Sequence, residues 1–307
     1  MLHWLVIGVG DITTKRVIPA ILAEPRSRLA GIVTRTPVKA DAYGVRVWTS
    51  LTRALAESGC DAVYVATPNC LHAPQSIESL RAGKHVLCEK PMALNFAEAC
   101  SMQQAAAQSG RTLGVAYYRR CYPKVNRAKE LIAEGAIGRP VFAMATAHSW
   151  SDFADGERAW LANPAMAGGG PLYDVGSHRI DLMNYLFGAP VRVTGQRSTT
   201  VQSVPVEDNA TVLIEYENGV RAMVDVRWHS RVTRDEFLIR GTDGEMELSP
   251  LNGPSIDYPG GREELSPHSN LHFPCVQNFV GAVLEGEPLR STAATAMLTD
   301  WVTERAL

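Results

Sequence analysis

The sequence predicts an α/β protein. A doubly wound parallel sheet is expected over residues 1–120, and an α+β domain with a large open, mainly antiparallel sheet over residues 121–307. Two observations predict this. In the first part, short and almost uninterrupted apolar runs alternate with helical stretches, the pattern of parallel strands covered on both faces. Beyond Pro123 the runs lengthen and alternate apolar with polar residues, and Asn218-Gly219 and Asp243-Gly244 signal hairpins between them.

In chain order, "HWLVIGV" reads as a strand, "TTKRVIPAILAE" as a helix and "RLAGIVTR" as a strand. "SLTRALAESG" is a helix, "DAVYVATP" a strand, "APQSIESLRAG" a helix and "HVLCEKP" a strand. The helix "NFAEACSMQQAAAQSG" and the strand "TLGVAYYR" close the first domain. The second opens with the helix "KVNRAKELIAEG" and continues through "PVFAMATAHSW", a glycine-rich segment, a helix around His178 and a series of strands. In "VRAMVDVRW", Val220, Ala222, Val224, Val226 and Trp228 share one face while Arg221, Asp225 and Arg227 share the other, so one side of this sheet faces a core. The tail from Cys275 reads as two helices.

A length of 307 residues suits two domains and a substantial core. A net charge of -2 leaves no basic footprint for nucleic acid or an anionic membrane. No apolar run approaches the roughly 18 residues that span a bilayer. The start "MLHWLVIGVG" enters a strand without a charged leader or cleavage site. Cys60, Cys70, Cys88, Cys100, Cys121 and Cys275 lack the CxxC spacing of metal or redox sites, so the expectation is free thiols in a cytoplasmic protein.

"GVGDIT" follows the first strand and opens a helix. Gly8 and Gly10 permit a tight turn and close approach to a pyrophosphate, and the amides from Asp11 and Ile12 onward meet its charge. The third glycine position holds Thr13, and the competing reading is an ordinary strand-to-helix turn. At the end of the second strand, where an acidic residue would accept the ribose hydroxyls of NAD, stand Thr34, Arg35 and Thr36. Without a carboxylate, and with Arg35 able to pair with a 2′-phosphate, NADP (NADPH) is preferred and NAD remains possible. The competing reading for Arg35 is a solvated loop arginine. Lys90, in "CEKP", projects from the carboxyl edge of the sheet, where open α/β folds bind ligands.

Together "GVGDIT", "ATPNCLH", "AGKHVLCEKP", "YYRRCYP" and "GGGPLYDVGSHRID", in this order, resemble the glucose–fructose oxidoreductase / inositol dehydrogenase / MocA family. The resemblance runs from residue 2 to about residue 250 and more loosely beyond. It implies a Rossmann domain, a second domain whose open sheet often mediates oligomers, and NAD(P)-dependent oxidation or reduction of sugars, cyclitols and related polyols. By the resemblance Lys90, Asp174 and His178 are the catalytic residues. Thr67, Pro68, Asn69 and His72 lie along the cofactor, with Glu89 and Lys90 at its nicotinamide end. Tyr118, Arg119 and Trp160 belong to segments bordering the substrate. The chain departs from the pattern at Thr13, at Leu161, where many members carry arginine after the tryptophan, and in its shortened C-terminal end.

Asp174 and His178 are spaced i,i+4, which on a helix places them on one face. An exposed helix stripe would show the same spacing. Removing a hydroxyl proton as hydride leaves suits an imidazole, and an ammonium stabilises developing alkoxide charge. Asp174 would hold a neighbouring hydroxyl or support protonated His178, while Asp181 reads as structural. Glycines 168–170 are expected to let the backbone pass close beside a ligand. The expected substrate is a small polyol or keto-sugar, with no metal, and the expected assembly a homodimer or homotetramer. "SDFADGERAWLANPAM", Ser151 to Met166, is the expected carrier of substrate choice. Two alternatives remain open: a non-catalytic protein sensing dinucleotide or sugar, and an NAD-dependent glycoside hydrolase of the same fold.

Overall fold

Leu2–Ile7 (β1), Ser27–Val33 (β2), Arg46–Trp48 (β3), Ala62–Val65 (β4), His85–Cys88 (β5) and Leu113–Val115 (β6) form a six-stranded sheet in a computed structural model that describes residues 1–151 and 158–306. Its order is β3-β2-β1-β4-β5-β6 and every neighbouring pair is parallel. That is the doubly wound order of dinucleotide-binding domains, which places its switch point between β1 and β4. The strands read as continuous apolar runs because both faces are covered. Leu5, Ile7, Val63, Val65 and Val86 pack with Ala54, Leu80, Ala99 and Met102 from helices in one buried cluster.

The chain divides into two units, residues 1–118 with 269–297 and residues 119–268 with 298–307. The segment 269–297, which the sequence reading groups with the second domain, is counted in the first. The reason is packing on the parallel sheet. The Phe279 ring, from helix Phe273–Glu285, lies 5.3 Å from that of Trp4 on β1, and Val115 on β6 donates its amide to Ser291.

In the second unit, Pro140–Trp150 (β7), Pro190–Ser198 (β8), Asn209–Tyr216 (β9), Arg221–Arg227 (β10), His229–Gly241 (β11), Glu245–Glu247 (β12), Ser255–Tyr258 (β13) and Gly261–Glu264 (β14) form one sheet. Its order is β14-β13-β12-β11-β7-β10-β9-β8. β10 runs parallel to β7 and the other neighbouring pairs are antiparallel. The alternation read from sequence appears except at one position: Val220, Ala222, Val224, Val226 and Trp228 are buried and Arg221 is exposed, but Asp225 is buried too, bonded to His148, Thr211 and Arg227. Both glycine hairpins form, with Gly219 at φ +84° between β9 and β10. Helix Ser177–Phe187 covers the inner face, where Tyr216 on β9 donates its hydroxyl to Asn184. No described helix is long and apolar enough to cross a membrane.

Candidate active site

The turn after β1 fits a dinucleotide. Gly8 has φ +92°, and a Cβ there would meet the Ala66 carbonyl oxygen at 2.5 Å, so only glycine lets this turn lie against the one after β4. A Cβ at Gly10 would meet nothing within 4 Å, which leaves the backbone open to a ligand. The helix then starts in π form over Thr13–Val17, a local unwinding that recurs at functional sites. Asp11 and Ile12 are exposed at its head, where helix amides lack internal partners. Thr13 is fully buried, so the side chain replacing the third glycine faces the interior. At the end of β2, Thr34 is buried and its hydroxyl accepts the amide of Thr36, while Arg35 and Thr36 are exposed.

β4 and β5 deliver the next set. The Thr67 hydroxyl donates to Gln75, and Asn69 is buried two residues on. His72 is fully buried with both ring nitrogens against backbone carbonyls, Nδ1 at 2.8 Å from Pro91 and Nε2 at 2.8 Å from Thr67. Glu89 is buried at the end of β5. Its Oε1 accepts from the Tyr64 hydroxyl at 2.8 Å and from His272 Nε2 at 3.2 Å, and its Oε2 from the Lys90 amide at 3.3 Å. Burial raises the carboxyl pKa, but His272, Tyr64 and the Lys90 charge outweigh it and hold it below the ordinary carboxylate value. Tyr118 closes this cluster, its ring 4.6 Å from that of His272. Lys90, half-buried, follows the fixed anion directly.

In the second unit the glycine run serves packing between parts of the protein. A Cβ at Gly170 would collide with the Glu207 carbonyl, and one at Gly169 would meet the Tyr173 ring at 2.5 Å. The close approach expected toward a ligand is thus made to the chain itself. Leu172–Gly176 is again a π turn, leading into the helix that starts at Ser177. Asp174 lies in the π turn and the buried His178 in the α-helix, so their spacing spans a change of helical pitch. Arg158 donates to Asp174 at 2.8 Å. Asp181 is held by Arg120 through bonds of 2.9 and 2.6 Å, both side chains almost wholly buried, which accounts for it structurally. Arg119 donates to Asn252, whose own amide groups reach Asp235, which also accepts from Arg179. Trp160 packs beside Leu161, Ala167, Val206 and Trp228. Residues 152–157 of the expected specificity segment lie outside the described residues.

Residues 2–117 match the oxidoreductase family with an NAD-binding Rossmann fold, and residues 125–247 match the GFO/IDH/MocA C-terminal domain. The 1,5-anhydro-D-fructose reductase of Ensifer adhaerens is 30% identical over 80% of this chain and 75% of its own length. The chain belongs to the GFO/IDH/MocA family. Among other relatives, D-xylose 1-dehydrogenase (NADP(+)) 2 of Haloferax volcanii is 29% identical over 80% of this chain and 75% of its own. The crystal structure of the aldose-aldose oxidoreductase of Caulobacter crescentus, complexed with glycerol, superposes with a TM-score of 0.89 at 27% identity. It covers 99% of this chain and 97% of that one.

This GFO/IDH/MocA protein is therefore an oxidoreductase, and the sensing and hydrolase alternatives give way. Sequence reasoning missed Tyr64 and His272 around Glu89, and Asn252, Asp235 and Arg179 around Arg119. A buried tyrosine on a parallel strand reads only as core. His272 stands 183 positions from Glu89. Its one local signal was "LHFP", a histidine just before a helix that opens with Phe273-Pro274.

Proposed function

We propose that the protein is an NADP-dependent oxidoreductase that interconverts a secondary alcohol and a ketone on a sugar, cyclitol or related polyol. The observation that carries this is Lys90, set at the carboxyl end of β5 directly after a buried carboxylate whose charge is fixed by three donors. The turn of Gly8 and Gly10 would hold the cofactor, whose nicotinamide would supply the hydride donor or acceptor. The Lys90 ammonium polarises the reacting oxygen and stabilises alkoxide charge. His178 takes the hydroxyl proton in oxidation and returns it in reduction. Asp174 holds a neighbouring substrate hydroxyl, Tyr118, Arg119 and Trp160 border the substrate, and Thr67, Pro68, Asn69, Glu89 and Lys90 contact the cofactor.

The reading of NADP rests on the exposed Arg35 between Thr34 and Thr36, with no carboxylate at the end of β2. The names of the xylose and anhydrofructose relatives support a sugar-like substrate. The test is oxidation of NADPH and NADH against a panel of keto-sugars and inososes, with the reverse reaction on the matching polyols. Turnover with NADPH is expected, and Lys90→Met should cut kcat by orders of magnitude while cofactor affinity stays near wild type. Arg35→Asp should shift preference towards NADH. Silence across the panel by protein that binds NADPH would defeat the reading.

We infer a homodimer or homotetramer joined through the open face of the second sheet. In register, Met223 on β10 sits beside Met144 on β7 and Leu213 on β9, and Leu238 on β11 beside Met144. This apolar stripe crosses four strands, and Leu213 is 52% exposed. Light scattering should give a mass of two or four chains, and Leu213→Lys with Met223→Lys should lower it.

A further inference from the structure

His72 is the first residue of helix His72–Arg81, and none of its side chain reaches solvent. Each ring nitrogen lies 2.8 Å from a main-chain carbonyl oxygen, Nδ1 from that of Pro91 and Nε2 from that of Thr67. Carbonyl oxygens only accept. A neutral imidazole carries one N–H, so either tautomer would set a nitrogen lone pair against oxygen lone pairs at that separation. Only the imidazolium donates at both ends. A buried cation needs a counter-charge: the Glu89 carboxylate supplies the favourable charge, while Lys90 is the opposing like charge. Burial outweighs the two carbonyl oxygens and Glu89 and leaves the ring's pKa below that of a solvated imidazole, so the case for the doubly protonated ring is the geometry of two acceptors at 2.8 Å.

The two carbonyls belong to different functional segments. Thr67 begins the turn after β4, against which Gly8 packs: a Cβ on Gly8 would lie 3.2 Å from the Thr67 methyl. Pro91 follows Lys90 after β5. We propose that His72 is an imidazolium that fastens the Thr67–Asn69 turn to the Lys90–Pro91 turn, a positioning residue through which the cofactor-side loop and Lys90 hold a common geometry. The inference rests on Lys90 being the reaction's cation. It gives His72 a task other than the cofactor contact expected from sequence, since both its nitrogens are already engaged.

The test begins with wild-type protein, labelled with 15N in histidine and free of cofactor. Long-range proton–nitrogen spectra should show one N–H on each ring nitrogen of His72 at pH 7, and a single N–H there would overturn the proposal. His72→Gln offers one amide nitrogen and reaches one carbonyl. It should lower kcat at least tenfold and weaken NADPH binding, with a smaller effect on the substrate KM. In a Lys90→Met background the same substitution should cost kcat little more, because its effect passes through Lys90. Additive losses, or unchanged kcat and NADPH affinity in folded His72→Gln, would reduce His72 to a packing role. The spectra and the NADPH affinity need no turnover, so they decide the proposal even if the assigned activity fails.

Discussion

Glu89 and His272 meet at 3.2 Å across 183 positions of chain, inside the first unit and beside Lys90. The same Glu89 oxygen takes the Tyr64 hydroxyl, so the anion is held from β4 and from the return segment at once. This argues that the C-terminal part of the chain sets the electrostatics of the lysine as well as covering the sheet. Glu89→Gln removes the charge and should lower kcat by about a hundredfold, the range of a lost electrostatic contact at a reacting centre. His272→Ala leaves a buried carboxylate short of a donor, at about 1–3 kcal/mol of stability, whereas His272→Gln should recover part of it. The sign with pH is fixed: a carboxyl depressed below its ordinary 4.5 stabilises the fold above that pH and stops doing so as pH falls through its folded value. Urea titrations from pH 7 to 3 should therefore show a shallower acid loss in Glu89→Gln than in wild type.

The two fingerprint glycines should separate stability from binding. Gly8→Ala forces a left-handed residue against the Ala66 carbonyl and should cost about 2–4 kcal/mol. Gly10→Ala meets open space and should change stability by less than about 0.5 kcal/mol. If the pyrophosphate crosses this turn the added methyl group obstructs it, so NADPH should bind about tenfold or more weakly, roughly 1.4 kcal/mol. Wild-type affinity in Gly10→Ala would mean that the pyrophosphate does not cross this turn.

What could be read from sequence follows from locality. Strand runs, hairpin glycines and the face of β10 are short-range patterns, and each appears as expected, the buried Asp225 apart. The place of Gly8 and Gly10 in the turn after β1 is local in the same way, since it depends on what immediately precedes and follows them. The fate of the tail is different: amphipathic periodicity says that Phe279 faces a core, but it does not say that the core contains Trp4. For the same reason neither His272 nor Asn252 announced itself, since each gains meaning from a partner on a distant segment. Gly169 and Gly170 show a further limit. Their need for glycine was legible, yet whether the close neighbour is a ligand or Glu207 is a tertiary fact.

Asp208, next in sequence to Glu207, offers a second acid-sensitive device. Its carboxylate accepts the amides of Thr200, Val201 and Gln202 and the side chain of Asn209. Those bonds outweigh burial and bring its pKa from 3.8 down to about 2. A group so depressed adds stability that is complete above 3.8 and disappears as pH falls towards 2, about 2 kcal/mol in all. The adjacent Glu207 accepts the Leu172 amide and closes over Gly170, so loosening this loop should also loosen the Asp174 turn. Asp208→Ala should destabilise by at least that amount at pH 7 and by progressively less below pH 4, measured by chemical denaturation. A constant difference across that range would show that the amide bonds do not depend on the charge.

Arg158 reaches Asp174 from a far more exposed position, the arginine 63% and the aspartate 14% accessible. An ion pair so open to water is worth about 0.2–1 kcal/mol. If Asp174 orients a substrate hydroxyl, that pair restricts which way the carboxylate points, and its loss should appear in kinetics before it appears in stability. Arg158→Ala should lower kcat/KM about two- to fivefold at low salt, matching that energy, with an unchanged melting temperature. The difference from wild type should shrink in about 0.5 M salt, because screening removes the advantage of the intact pair as well. Arg158→Lys should restore part of the loss. A fall beyond a hundredfold would place Arg158 on the substrate itself, and no fall at low salt would show that Asp174 keeps its orientation without help.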